Sequence, residues 1–353
     1  MCSPVFLVGS VPFKDTEAVF TRCAQVLGTR ARQLPDGERG GWLPAEDFRK
    51  MRGMEEGRGR SLLNPPVTRT VRLQPGLSAG DLQFETLHYY PNAIDSYEIF
   101  ARLKREGIIP AGTRYQISIP SAFTGCIYFD YDQVRELWPV YEAALLREVG
   151  RIIGVIPREE LAISWDVVEF GISLANPDPP ETFEFDELAA GIARAIDAVA
   201  TPVTCGLHFC YGGHNSNGMP RPGLNRRDIA DTRLMTRFFN AVQARVHRPI
   251  DWLHLPVPRP HFAEAYFLPL RELHRSADTE LYLGLLYPDD GFDVTQRKLE
   301  VARHCVGEFG VAAACGLNPF VSGLPAERLP EVLEYHKRVA DECSAAKRSI
   351  STA

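Results

Sequence analysis

The sequence predicts an α/β fold, a (β/α)8 TIM barrel with an insertion after the second strand. Three observations carry that expectation. Eight short, near-continuously apolar runs alternate with longer amphipathic stretches. Residues able to do chemistry gather where the apolar runs end, and the 353-residue length suits one barrel carrying an insertion. Strands alternating with helices imply βαβ units and a parallel sheet, whose strands are apolar on both faces.

The runs are VFLVGSVP (5–12), ARQLPDGE (31–38), RYQISIPSA (114–122), LAISWDVVEF (161–170), VTCGLHFC (203–210), DWLHLPV (251–257), LYLGLLYP (281–288) and VAAACGLNPF (311–320). Helical patterns fall between or after them, at 15–28, 93–107, 131–154, 183–199, 231–245, 262–275, 293–310 and 327–346. Residues 39–92 form an insertion that carries a hairpin or loop placed to cover the barrel mouth. No Pro/Gly linker or internal repeat divides the chain, so residues 1–353 read as one barrel domain. The competing fold is a doubly wound open sheet. The absence of GxGxxG and GxxxxGK[ST] argues against its nucleotide-binding version.

Composition narrows the function. Apolar residues make up 45% and charged residues 24%, as in globular proteins. Net charge is −6, and no Lys/Arg-rich run stands out. Nucleic acid and anionic membranes are therefore not the expected partners, and a small-molecule substrate is. The N-terminal MCSPVFLVGSVPF lacks the basic region of a signal peptide, and no run approaches the ~20 apolar residues of a membrane span. The expected setting is the cytoplasm. The eight cysteines are scattered, and in a reducing compartment clustered thiols read as metal ligands before disulfides.

Barrel enzymes collect chemistry at the C-terminal ends of their strands. Here those ends carry Ser10, then Asp36 and Glu38, then Asp166 and Glu169, then His208 and Cys210. His254 lies in the sixth run, Tyr287, Asp289 and Asp290 follow the seventh, and Cys315 and Asn318 the eighth. His208 and Cys210, two residues apart on a strand, point to one face. Imidazole nitrogen and thiolate sulfur are preferred Zn²⁺ ligands, and Cys315 supplies a third from elsewhere on the rim. Three protein ligands and one open position make a catalytic zinc pattern. A short His-x-Cys also arises by chance, and a buried Cys also behaves as a small hydrophobe.

A carboxylate inside an apolar run is rarely buried without a partner. Asp166 is therefore read as a substrate binder or proton-transfer group, with Glu169 and His254 as further candidates for general base. Asp36-Gly37-Glu38 reads equally as a turn or as a substrate-binding loop. Ser10, His214, Tyr287 and Asp289 complete the candidate substrate contacts.

Taken in order, the motifs resemble the catalytic-domain superfamily of cobalamin-independent methionine synthase, which also contains uroporphyrinogen decarboxylase. The resemblance rests on Gly9-Ser10-Val11-Pro12, Leu34-Pro35-Asp36-Gly37-Glu38, Ser164-Trp165-Asp166, His208-Phe209-Cys210-Tyr211 and Cys315-Gly316-Leu317-Asn318-Pro319. It implies a (β/α)8 barrel and a zinc held by His, Cys, Glu and Cys, on which a substrate thiol becomes the nucleophile toward a methyl donor. Three ligands carry over, to His208, Cys210 and Cys315. The Glu falls where this chain reads Leu253-His254-Leu255-Pro256-Val257, with Pro256 its match by register. The Cys-Gly-Leu segment continues as Asn-Pro, where the family has Lys-Thr-Arg. These departures fit a divergent member with another small substrate.

The sequence therefore supports a zinc-dependent alkyl or methyl transferase acting on a thiol. The alternative is a zinc hydrolase or lyase that uses metal-bound water on a small aromatic or carbonyl-containing substrate. A metal-free ligand-binding barrel is the reading from another class.

Overall fold

A computed structural model describes residues 4–39, 45–62, 70–84, 87–169, 183–211, 230–259, 263–322 and 324–351. The chain opens with strand β1 (Val5–Phe6) and helix α1 (Thr16–Leu27), capped by the Asp15 carboxylate, which accepts from Ala18 N. After β2 (Gln33–Pro35) comes the insertion: α2 (Ala45–Lys50), then an antiparallel hairpin of β3 (Met54–Gly57) and β4 (Thr70–Leu73). Helix α3 (Tyr89–Arg105) leads to β5 (Arg114–Pro120), α4 (Ala122–Gly125) and α5 (Val134–Val155). Next come β6 (Leu161–Val167), α6 (Phe185–Asp197), β7 (Thr204–Phe209) and α7 (Arg233–Gln243). The last units are β8 (Trp252–Pro256), α8 (Glu264–Phe267), β9 (Glu280–Gly284) and α9 (Phe292–Val306), then β10 (Gly310–Ala312), α10 (Pro319–Ser322) and α11 (Leu329–Ser351).

Eight strands form one parallel sheet in the order β1-β10-β9-β8-β7-β6-β5-β2, a nearly closed barrel with helices outside, as the alternation of runs predicts. Of the hairpin or loop expected in 39–92, the described residues form a hairpin, β3–β4. It is clasped to the segment after α4 by buried Asp130, whose N donates to Val71 O at 2.9 Å and whose Oδ1 accepts from Gly59 N at 3.0 Å and from the Thr70 hydroxyl. A Cβ at Gly57 or Gly59 would collide with that carboxylate.

Several expected elements are shorter than their runs, and three of them have a clear local reason. Residues 7–12 leave the ladder after Phe6 to build the mouth. The second run stops at Pro35 because Gly37 and Glu38 adopt positive φ, 84° and 63°. The helix expected over 262–275 is one α-turn followed by the 3-10 turn Leu268–Glu272, with Pro269 at its start. Proline lacks the N–H that a continuing α-helix needs.

No backbone ladder joins β1 to β2 among the described residues. The gap is bridged by side chains of β5. Gln116 Nε2 donates to Leu7 O at 3.0 Å and Val8 O at 2.8 Å, and Ser118 Oγ donates to Val8 O at 2.7 Å. Two carbonyls that a neighbouring strand would satisfy are thus satisfied by an amide and a hydroxyl.

Inside the barrel, Phe6, Val8, Ala162, Trp252, Tyr282 and Ala312 form a plug separate from the main strand–helix core. Trp252 lies over Gly206, where a Cβ would stand 2.1 Å from the indole. The plug is the floor on which the mouth is built. No helix among the described residues is long and apolar enough to cross a membrane.

Candidate metal centre

Parallel register sets Pro120, Asp166, His208, His254 and Tyr282 side by side on neighbouring strands. Residues in register share a face, so one layer of the barrel carries a carboxylate and two imidazoles. Cys210 N donates to Val167 O at 2.9 Å, which extends the β7 pairing far enough to keep Cys210 on the same face as His208.

Cys315 comes from another strand end, just after β10. Its loop is pinned to the segment that follows β1: Leu317 N donates to Ser10 O at 2.8 Å, and Asn318 N to Ser10 Oγ at 3.4 Å. Gly316 permits this approach, because a Cβ there would stand 1.9 Å from Ser10 Oγ.

The three predicted ligand atoms converge. Cys315 Sγ lies 3.6 Å from Cys210 Sγ and 3.6 Å from His208 Nε2, and all three donors fall within 4.8 Å of one another. Sulfur and nitrogen ligands at ordinary zinc distances in a tetrahedron stand roughly 3.6–3.8 Å apart, so this donor set fits zinc in both chemistry and spacing. His208 and Cys210 are buried, and Cys315 is partly open to the mouth. The Cys315 thiol sits well above the usual thiol range, chiefly through its hydrogen bond with Cys210 and then through burial.

Two carboxyl groups lie near the thiols. Glu38 is packed among protein atoms, yet water reaches it through the mouth. Burial, Asp36 and Cys210 push its carboxyl up to about 8, while the Ser10 N–H accepted by the carboxylate pulls the other way. Asp166 is buried at the end of β6, and its charge helps hold the Cys315 proton in place. A cation at the thiols would relieve both repulsions.

Asp36 forms the turn that aims Glu38. Its Oδ1 accepts from Glu38 N at 2.9 Å and Arg39 N at 3.4 Å, and its Oδ2 accepts from the Tyr115 hydroxyl at 3.1 Å. Asp-Gly-Glu is therefore a turn, and it sets the Glu38 carboxyl near Cys210. A non-glycine residue at φ 63° is strained, and such strain clusters at functional sites.

His254 stands behind His208, not among the thiols. Its Nδ1 lies 2.7 Å from His208 Nδ1, and its Nε2 lies 3.1 Å from Ala313 O. Burial pushes its pKa well below the usual imidazole value, so it is neutral. Glu169 lies in a separate buried pocket. Ser121 Oγ donates to it at 2.5 Å and Thr124 Oγ1 at 3.4 Å, and burial raises its carboxyl to about 7.

Tyr287 walls the β8–β9 side, its hydroxyl donating to Val257 O at 2.8 Å. Asp289 is exposed and pairs with Arg328 at 2.6 Å. Asp290 is bound to Arg259 and, at 2.6 Å, to buried Lys298. His214 lies outside the described residues. The sequence reading passed over Gln116 and Gly284, although a Gln inside the apolar run RYQISIP was a visible signal for the first. At the position matching the family Glu, Pro256 offers a side chain without a donor atom, and its carbonyl accepts from Tyr266 Oη at 3.3 Å.

No family model matches this sequence, and no curated protein matches it. Solved structures do. A putative vitamin-B12-independent methionine synthase from Listeria monocytogenes superposes with a TM-score of 0.60 at 15% identity, over 96% of this chain and 99% of that one. A B12-independent methionine synthase from Shewanella sp. W3-18-1, in complex with selenomethionine, gives 0.64 at 14% identity, over 98% and 100%. The neighbours are thus proteins of the group whose catalytic barrel the sequence resembles, and at this identity the likeness establishes a shared fold along nearly the whole chain.

Proposed function

We propose that this barrel is an enzyme that holds one zinc ion on His208, Cys210 and Cys315 and transfers a methyl or other alkyl group from a small-molecule donor to a substrate thiol: the thiol loses its proton, the S–C bond forms, and the donor leaves with the electron pair of its broken bond to the alkyl group. The observation that carries the reading is the convergence of one imidazole and two thiols at zinc spacing in the mouth of a methionine-synthase-like barrel. When bound, zinc lowers the pKa of a coordinated thiol so that it is a thiolate at neutral pH. The sulfur-rich donor set favours this use over water activation, because two thiolates offset the metal's charge and leave a third sulfur nucleophilic.

The protein's own groups bind and orient. Glu38 and Asp166 flank the thiols and hold a cationic group of the substrate; once a cation sits there, Glu38 returns to its ionised form. Ser10 N–H fixes the Glu38 carboxylate, and Asp36 fixes its backbone. Tyr287 closes the β9 side and excludes water. Glu169, sealed among the Ser121 and Thr124 hydroxyls, is a buried group of the wall and takes no part in the transfer. Pro256 leaves the family Glu position without a ligand, which keeps a coordination place for the incoming thiol.

Metal analysis of reduced, untagged protein tests the site. About one zinc per chain is expected, lost in the Cys210→Ser/Cys315→Ser double variant; absence of zinc from the fresh protein removes the proposal. X-ray absorption on the loaded protein then tests the reaction class. A new Zn–S bond on adding a small thiol supports alkyl transfer, whereas unchanged oxygen ligation points to hydrolysis or lysis through bound water.

A further inference from the structure

We infer that His254 is a positioning residue: it locks His208 in the tautomer whose Nε2 lone pair faces the two thiols. Ala313 O can only accept, so His254 Nε2, 3.1 Å away, is the donor. A neutral imidazole that donates from one ring nitrogen accepts at the other. His254 Nδ1 therefore accepts from His208 Nδ1–H across 2.7 Å. His208 is left with its proton on Nδ1 and a bare Nε2, the atom 3.6 Å from Cys315 Sγ.

The surroundings hold His254 to this task. Its imidazole is fully buried, with the Phe6 ring 5.4 Å away, centroid to centroid. Gly284 gives it room: a Cβ there would stand 2.8 Å from His254 Nε2 and 2.7 Å from Ala313 O. Neither nitrogen points at the thiols, so His254 is not a replacement for the family Glu ligand. Neither is free to take a proton from a substrate without breaking one of the two bonds, so it is not the general base either. Ligating histidines elsewhere are fixed by a carboxylate, carbonyl or water on the second nitrogen. Here a second imidazole does that work and passes the anchor on to a main-chain carbonyl.

The purpose of the lock rests on the zinc reading above, but its geometry does not, and the tests separate the two. In wild-type, reduced, zinc-free protein with ¹⁵N-labelled histidine, nitrogen–proton correlation spectra are expected to show His208 protonated on Nδ1 and His254 on Nε2. A His208 protonated on Nε2 overturns the inference, whatever the metal result. Competition with a chromophoric chelator then measures affinity. His254→Leu is expected to lose about 10–100-fold in zinc affinity. His254→Asn, whose side-chain oxygen can replace Nδ1 as acceptor, is expected to recover most of it. A folded His254→Leu protein that binds zinc within twofold of wild type overturns the inference. Failure of wild type itself to bind zinc overturns the proposed function and leaves the tautomer result to stand or fall alone.

Discussion

The Glu38 carboxylate lies against the bare Cα of Gly9: a Cβ built on Gly9 would stand 2.5 Å from Glu38 Oε1 and 2.9 Å from Ser118 Oγ. The first glycine of Gly-Ser-Val-Pro thus makes room for the last residue of Asp-Gly-Glu. Gly9→Ala is expected to cost about 1–3 kcal/mol, as overpacking does. Urea unfolding measures it, and zinc content is expected to be unchanged because the methyl does not touch the thiols. Unaltered stability would show that Glu38 is free to swing away.

Glu38 itself is held in a backbone conformation that glycine adopts without strain, and beside Asp36. Glu38→Gly is therefore expected to make the metal-free protein more stable, by about 1 kcal/mol, while weakening substrate binding. Thermal melts near pH 4, where the carboxyl is protonated in the folded protein and mostly so in the unfolded chain, check the first half apart from any effect of its ionisation. A variant less stable than wild type there would contradict the strain argument.

Closure of the barrel hangs on Gln116. Replacing it with Leu keeps the bulk but leaves Leu7 O without its bond, and the expected loss is about 1–3 kcal/mol. Ser118→Ala is expected to cost less, because Val8 O keeps its bond to Gln116. Denaturant midpoints of the two variants test that order.

Glu169 gives stability a pH dependence of definite sign. Its folded pKa of about 7 lies above its ordinary value of 4.5. Between these values the unfolded chain has released the proton and the folded protein retains it, so stability falls as pH rises through this window and levels off above about 7. Glu169→Gln is expected to remove that share of the fall, on the order of 3 kcal/mol or less. Parallel pH profiles of wild type and variant would refute it if they had the same slope between pH 5 and 7.

Much of this was legible in the chain. The alternation of apolar runs and amphipathic stretches set the parallel barrel, because strands covered on both faces leave no other pattern. His208-Phe209-Cys210 announced two donor side chains on one face through the two-residue period of a strand, and the ordered motifs announced Cys315 as a third. Strand ends were overestimated in several runs, most of all the first, second and eighth, since apolar sequence does not reveal where a strand leaves its ladder to line a mouth. Asp166 and Glu169 read alike in sequence, three residues apart. The fold sets one beside His208 and seals the other among the Ser121 and Thr124 hydroxyls.

By itself, then, the sequence determined the barrel, its inserted hairpin and the types of atom offered to a metal, because hydrophobic periodicity and side-chain chemistry are local properties. Tertiary structure alone decided how those atoms face one another. Cys210 and Cys315 are 105 residues apart, His208 and His254 are 46 apart, and each pair meets only because strand register brings the ends together. The same closure turned His254 from a candidate base into the partner of His208. Hydrogen-bond sense depends on what stands behind a ring, which no stretch of sequence around it contains.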